Sequence, residues 1–126
     1  MTVLTQPPGM GDVLKYELNP NYTRETITLL EGTNYPLGSV LGHITLSGKY
    51  TLASHGGSDG AETAAAVLLY PVDARLSDAV GVVLARGPAI LSRATLVYDG
   101  TVDDGAKITA KLAELEALGL LVRDSA

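Results

Sequence analysis

Cysteine, phenylalanine and tryptophan are all missing from the 126 residues. The first absence rules out a disulfide framework, a thiolate zinc site and a cysteine nucleophile, and leaves the redox compartment unmarked. The other two mean that a core has to be assembled from Leu, Val, Ile, Ala and six tyrosines, within a hydrophobic fraction of 46%. Such a core is made of small pieces. A small chain of this kind gains from surface buried against neighbouring subunits, so self-association is expected. Positive charge is scarce as well: nine Lys and Arg face fourteen Asp and Glu, for a formal net charge of −5. No run of Lys or Arg offsets it, and nucleic-acid binding rests on cations that displace counterions from phosphate. Direct contact with DNA or RNA is therefore not expected. Long apolar runs are lacking too. The longest, residues 64–72, is too short to span a bilayer, and residues 1–9 have neither the basic start nor the apolar stretch of a secretion signal. The reading is a soluble cytoplasmic product with no membrane partner, folded as one compact domain plus a tail.

What is present is a succession of short β signals. Residues 1–11, with Pro7-Pro8, Gly9 and Gly11, have little to bury and several breakers, and read as a flexible arm. Over residues 12–18, Leu14, Tyr16 and Leu18 alternate with Lys15 and Glu17, which predicts a strand with one buried and one wet face. Asn19-Pro20-Asn21 breaks it. Residues 23–31, rich in β-branched side chains and closed by Gly32, predict a second extended piece, so residues 1–32 read as an N-terminal arm, flexible and then strand-forming. Residues 39–46 and 49–54 predict a hairpin around Ser47-Gly48, followed by a long mobile turn over residues 55–60. Residues 64–72 predict a buried strand with Pro71 near an edge or bulge, and residues 79–86 and 90–98 two more, separated by Gly87-Pro88. One helix is predicted from Asp103-Asp104, with Ile108, Leu112, Leu115 and Leu118 on one stripe and Gly119 as its C-cap. Lys107, Lys111, Glu114 and Glu116 then face solvent, and residues 120–123 run on as a terminal strand. The fold class that follows is α+β, mostly β: a small barrel-like β domain with one C-terminal helix and an extended N-terminal arm.

Four stretches contain residue types that carry chemistry elsewhere, and each has a plainer reading. Gly42-His43-Ile44-Thr45-Leu46-Ser47-Gly48-Lys49-Tyr50 has the outline of a phosphate-binding loop. Five residues rather than four separate its glycines, however, and Tyr50 stands where a Ser or Thr would hold magnesium, so a hairpin accounts for it. Asp99-Gly100-Thr101-Val102-Asp103-Asp104-Gly105 mimics a calcium loop. With Asp104 at the usual glycine position and Ala110 in place of the bidentate Glu, it reads as a turn and helix cap. His55, Ser58 and Asp59 are the types of a hydrolytic triad, yet three neighbours on one Gly-rich loop are badly placed to act as nucleophile, base and orienter. His43, beside Leu41 and Ile44, reads as a half-buried strand histidine rather than a metal ligand. No catalytic residue, metal site or cofactor is expected.

Three stretches, taken in order, do more. They are Tyr35-Pro36-Leu37-Gly38-Ser39-Val40-Leu41-Gly42; Gly48-Lys49-Tyr50-Thr51-Leu52-Ala53 with Gly60-Ala61-Glu62-Thr63-Ala64-Ala65-Ala66-Val67-Leu68-Leu69; and Pro71-Val72-Asp73-Ala74 with Ala79-Val80-Gly81-Val82-Val83-Leu84-Ala85-Arg86-Gly87-Pro88-Ala89. Their order over residues 33–126 resembles the head decoration, or capsid cement, proteins of lambda-like tailed phages. The resemblance implies that residues 33–126 are a head-decoration domain, β-rich with one helix, that forms homotrimers. It implies that the trimers sit at three-fold and quasi-three-fold sites outside the expanded head, hold the shell against the pressure of packaged DNA, and have the major capsid protein as partner. It also implies a place on the outer surface of the virion capsid, after synthesis in the host bacterial cytoplasm, and an N-terminal arm that orders against the capsid. On this sequence the arm's anchors are Leu14, Tyr16, Leu18 and Tyr22, with residues 12–18 able to add a strand to an exposed edge of the capsid protein. The chain departs from the family in its longer, strand-patterned N-terminal region and in having no tryptophan. A non-enzymatic structural protein is expected. The other class weighed is a virion-surface receptor- or carbohydrate-binding module, which calls for clustered aromatics in a groove, whereas the six tyrosines are scattered along the chain.

Overall fold

The computed structural model describes residues 13–124. In chain order the strands are β1 (Leu14–Glu17), β2 (Arg24–Leu29), β3 (Thr33–Tyr35), β4 (Val40–His43), β5 (Tyr50–Leu52), β6 (Ala64–Leu68), β7 (Val72–Ala74), β8 (Ala79–Leu84), β9 (Ala89–Ser92) and β10 (Leu120–Arg123). A one-turn helix α1 (Pro20–Thr23) joins β1 to β2, a 3-10 turn (Arg93–Thr95) follows β9, and α2 (Gly105–Ala117) precedes β10. Five strands close a barrel in the order β2-β5-β4-β6-β8, while β1, β9 and β10 form a separate three-stranded sheet and β3 and β7 a two-stranded ribbon. The expected class holds: the protein is mostly β, with a barrel and one long C-terminal helix. Among the described residues no helix is long and apolar enough to cross a membrane.

The period-two pattern of the barrel strands sorts their side chains into two cores. Leu41, Ala66, Leu68 and Val83 point inwards with Leu29 and Tyr35 and fill the barrel. Tyr35 takes the place of the missing large aromatics there: its ring is fully buried, and its hydroxyl donates to the Leu30 carbonyl at 2.7 Å. Val40, Val67, Leu69 and Leu84 point outwards and are covered by Leu115 of α2 and by Leu91 and Leu120 of the three-stranded sheet. Burying such side chains stabilises the fold by roughly 1.5–3 kcal/mol each before chain entropy is counted. Gly42 has no room for a side chain, because the turn before β6 lies against it: a Cβ there would be 2.1 Å from the Ala61 carbonyl oxygen.

Helix α2 starts where expected. The Asp104 side chain caps it by accepting from the Lys107 amide at 2.9 Å, and Gly119, at φ +84°, ends it. The solvent-facing assignment of Lys111 is corrected: it is buried, with its ammonium donating to the Glu62 carbonyl and lying 3.3 Å from Glu114. An amphipathic pattern assigns charge to the wet face, but here two polar backbone groups of β6 and its approach need partners inside, and Lys111 and Glu114 supply them. The single strand expected over residues 64–72 is two, because the chain leaves the barrel at Tyr70-Pro71 and β7 pairs with β3 instead. The strand expected over residues 90–98 stops at Ser92 in the 3-10 turn.

The N-terminal segments enter the fold through strand pairing. Residues 1–11, read as flexible, lie outside the described residues. Beyond them, β1 pairs antiparallel with β9, and β2 pairs with β8 along all six of its residues, from Arg24↔Leu84 to Leu29↔Ala79. The side of β1 that faces β9, and β2 along its length, thus have their backbone groups paired within the fold, while the other edge of β1 is left open.

Candidate functional site

The surface carrying the four expected anchors is built on the β1-β9-β10 sheet. Antiparallel pairing of β1 with β9 has an irregularity between Leu14 and Tyr16, with Leu14 opposite Leu91 and Tyr16 opposite Ile90. One extra residue in a strand turns the following side chains to the other face. Leu14 therefore packs against the core while Tyr16 faces outwards, so the single buried face expected for Leu14, Tyr16 and Leu18 is not what forms. Parallel pairing places Leu121 beside Ile90 on the far side. Tyr16, Ile90 and Leu121 consequently make one row across the outer face, and the Leu18 amide continues the pairing by donating to the Pro88 carbonyl at 3.1 Å.

Behind this face an ion pair fixes the chain. Arg24 donates from Nε to Glu17 Oε1 at 3.0 Å and from a terminal nitrogen to the same carboxylate, and the buried Thr23 hydroxyl donates to Glu17 Oε2 at 2.7 Å. Burial pushes the Glu17 carboxyl up, but the hydrogen bonds from Arg24 and Thr23 outweigh it and hold the group below its usual range. In α1 the Asn19 side chain accepts from the Asn21 amide at 2.9 Å, which sets the turn that presents Tyr22. The Arg86 guanidinium lies 5.4 Å from the centroid of the Tyr22 ring and is bonded to both the Tyr22 carbonyl and Glu25. Tyr16, Leu18 and Tyr22 are exposed on a surface whose backbone is pinned, while Leu14 is part of the packing beneath it.

The stretches read as plain structure are placed accordingly. Gly42 to Tyr50 is a hairpin of β4 and β5, with Gly48 at φ +74° in its turn. His43 is exposed at the barrel mouth, its ring 4.9 Å from that of Tyr50, and so is not the half-buried histidine expected; the strand ends there, beyond the packed interior. The His55 amide donates to the Thr101 hydroxyl, which ties the loop to the turn before α2, and the Asp59 carboxylate accepts from the Ala61 amide within the loop itself. Asp99 accepts from the Thr101 amide and Asp103 pairs with Lys107, as a turn and cap require. Among the described residues no group of three or more His, Asp or Glu side chains is placed to hold a metal. A cleft of about 380 Å³ opens between Val13, Pro36, Leu37, Pro71 and Val97, and its lining is apolar apart from Thr95.

A small barrel that holds aromatic and aliphatic side chains on a braced outer sheet has the form of a structural protein-binding module. The chain belongs to the family of bacteriophage lambda head decoration protein D, whose family model matches residues 3–120. It is accordingly a structural phage protein of the head, placed by its family on the outer surface of the virion capsid. Curated protein sequences yield no match to it.

Proposed function

We propose that the protein binds as a homotrimer to the expanded phage head, at three-fold and quasi-three-fold sites, and clamps neighbouring capsomers against the outward pressure of packaged DNA. The single observation that carries this reading is the family match across nearly the whole chain. Mechanically, a trimer that bridges capsomers adds interface that must be lost before the shell opens, and three linked contacts hold far better than one. The partner is the major capsid protein. Its contact is Tyr16, Leu18 and Tyr22, with Leu14 holding the strand that bears them, and the edge of β1 not used by β9 offers backbone groups for strand addition.

Two measurements test the reading. Sedimentation equilibrium should give about 39 kDa, three times the 13.1 kDa chain. Co-sedimentation should show the protein on expanded heads and not on unexpanded ones, because the site is assembled from several capsomers. A persistent monomer, or equal binding to both kinds of head, would defeat it.

A further inference from the structure

We infer that the chain's own N-terminal segment docks in cis into the apolar cleft beside the start of β1, with Met10 inside it and Pro7-Pro8 across its rim. The inference stands apart from the decoration reading, which draws on Tyr16, Leu18 and Tyr22. The cleft, of about 380 Å³, lies between Val13, Pro36, Leu37, Pro71, Ala94 and Val97. Pro36, Pro71 and Ala94 are exposed at its rim, and Leu37 and Val97 are half-buried. Backbone hydrogen bonds pin its walls: the Gly38 amide donates to the Leu68 carbonyl at 2.9 Å, the Val97 amide to the Gly38 carbonyl at 2.9 Å, and the Val40 amide to the Val97 carbonyl at 2.8 Å. The walls are thus held apart, and the apolar surface between them needs a cover. The polar side chain in the lining, Thr95, already donates to the Ser92 carbonyl at 3.0 Å. Such a lining offers nothing to a charged occupant.

Val13 identifies the occupant. It is the first described residue, its side chain is fully buried, and it is itself part of the cleft wall. The chain that precedes it therefore departs from the cleft. Met10, three residues back, can reach no further than about 10 Å from Val13, and Pro7-Pro8 no further than about 20 Å. The chemistry of this segment suits the lining: residues 1–11 contain no Asp, Glu, Lys, Arg or His and include Val3, Leu4, Pro7, Pro8 and Met10. Methionine is the side chain that best fills an irregular apolar gap, and Gly9 and Gly11 beside it allow the backbone to turn back. A Pro-Pro pair favours the extended form before it docks, so it gives up little chain entropy on a groove. Tethering supplies the rest. A short linker holds the segment at an effective concentration on the order of 1 mM, so a contact with an intrinsic Kd of about 0.1 mM is about 90% formed. A second copy or a capsid protein would have to displace it.

The test is NMR of the full-length free protein with isotope-labelled methionine methyl groups. Met1 and Met10 are the only methionines, so two signals are read. The Met10 methyl should give cross-peaks to the methyl groups of Leu37 and Val97. Met10→Asp should abolish docking, move the Leu37, Ala94 and Val97 resonances, and lower the melting temperature by about 3–6 °C. A synthetic peptide of residues 1–11 should then bind the variant's vacated cleft, moving those resonances at a concentration at least about tenfold below that needed with the wild type, whose cleft is filled. No cross-peaks from Met10 to the cleft, or equal response of both proteins to the peptide, would overturn the inference. Mixed samples of differently labelled chains separate the copies, and cross-peaks found only between chains would overturn it in favour of a neighbouring copy's segment. Cleft resonances that stay in place in Met10→Asp and move only when undecorated expanded heads are added would overturn it in favour of the capsid protein.

Discussion

Replacing Lys111 with methionine removes a charge from the interior at little change in volume. The lysine is 3% exposed, its ammonium donates to the Glu62 carbonyl, and it lies 3.3 Å from Glu114 Oε1. That same oxygen accepts from the Ala64 amide at 2.8 Å, so one side-chain pair ties α2 to the start of β6. Without the ammonium the carbonyl loses its partner and Glu114 keeps one hydrogen bond but no countercharge. Removing one member of a fully buried pair costs about 3–5 kcal/mol. Glu114 retains some access to water, its side chain being 30% exposed, and methionine still packs the space of the lysine stem. The expected loss is therefore nearer 2 kcal/mol, roughly 6–10 °C in melting temperature for a chain of this length. Calorimetry at fixed protein concentration measures it, since assembly itself shifts the midpoint. A double-mutant cycle with Glu114→Gln should give a coupling of about 1 kcal/mol. A Lys111→Met protein within about 0.5 kcal/mol of wild type, with no coupling, would refute the clamp.

Other outcomes follow from the same geometry. The Tyr98 hydroxyl is a buried side-chain polar atom with no hydrogen-bond partner, so Tyr98→Phe should leave stability unchanged or raise it by up to about 1 kcal/mol in urea titration. Gly42→Ala drives a methyl group onto the Ala61 carbonyl and should cost about 1–3 kcal/mol, whereas Gly100→Ala meets open space and should cost no more than about 0.5 kcal/mol, both read by thermal melts. Because the Glu17 carboxyl is held below its usual value, its contribution is complete above that value and is lost as pH falls through the lowered one. Melting temperature should drop on acidification from about pH 5 to pH 3, and Glu17→Gln should flatten part of that drop.

Much of the architecture is legible in the residues because their local physics is unambiguous. Asp104 before a Leu-striped segment, Gly119 after it, and Ser47-Gly48 between two β-rich runs each admit few alternatives, and α2 and the β4-β5 hairpin formed there. Contacts that depend on distant partners are not legible. Nothing local tells Lys111 that a carbonyl 49 residues away will need its proton, or β1 that an irregularity after Leu14 will turn Tyr16 to solvent. For the same reason the surface is half visible: Tyr16, Leu18 and Tyr22 can be picked out as apolar groups near a turn, but Ile90, Leu121 and Arg86 join them only through strand pairing and long-range contacts. Period-two reasoning also assumes a strand without bulges, and the choice of which face is buried inverts when that assumption fails.

Electron cryomicroscopy of undecorated expanded heads after addition of the purified protein locates it on the shell. Trimeric density is expected at the three-fold and quasi-three-fold positions, with the β1-β9-β10 sheet against the shell. Density at the six-fold centres, monomers scattered without symmetry, or trimers seated with that sheet turned away from the shell would contradict the decoration reading.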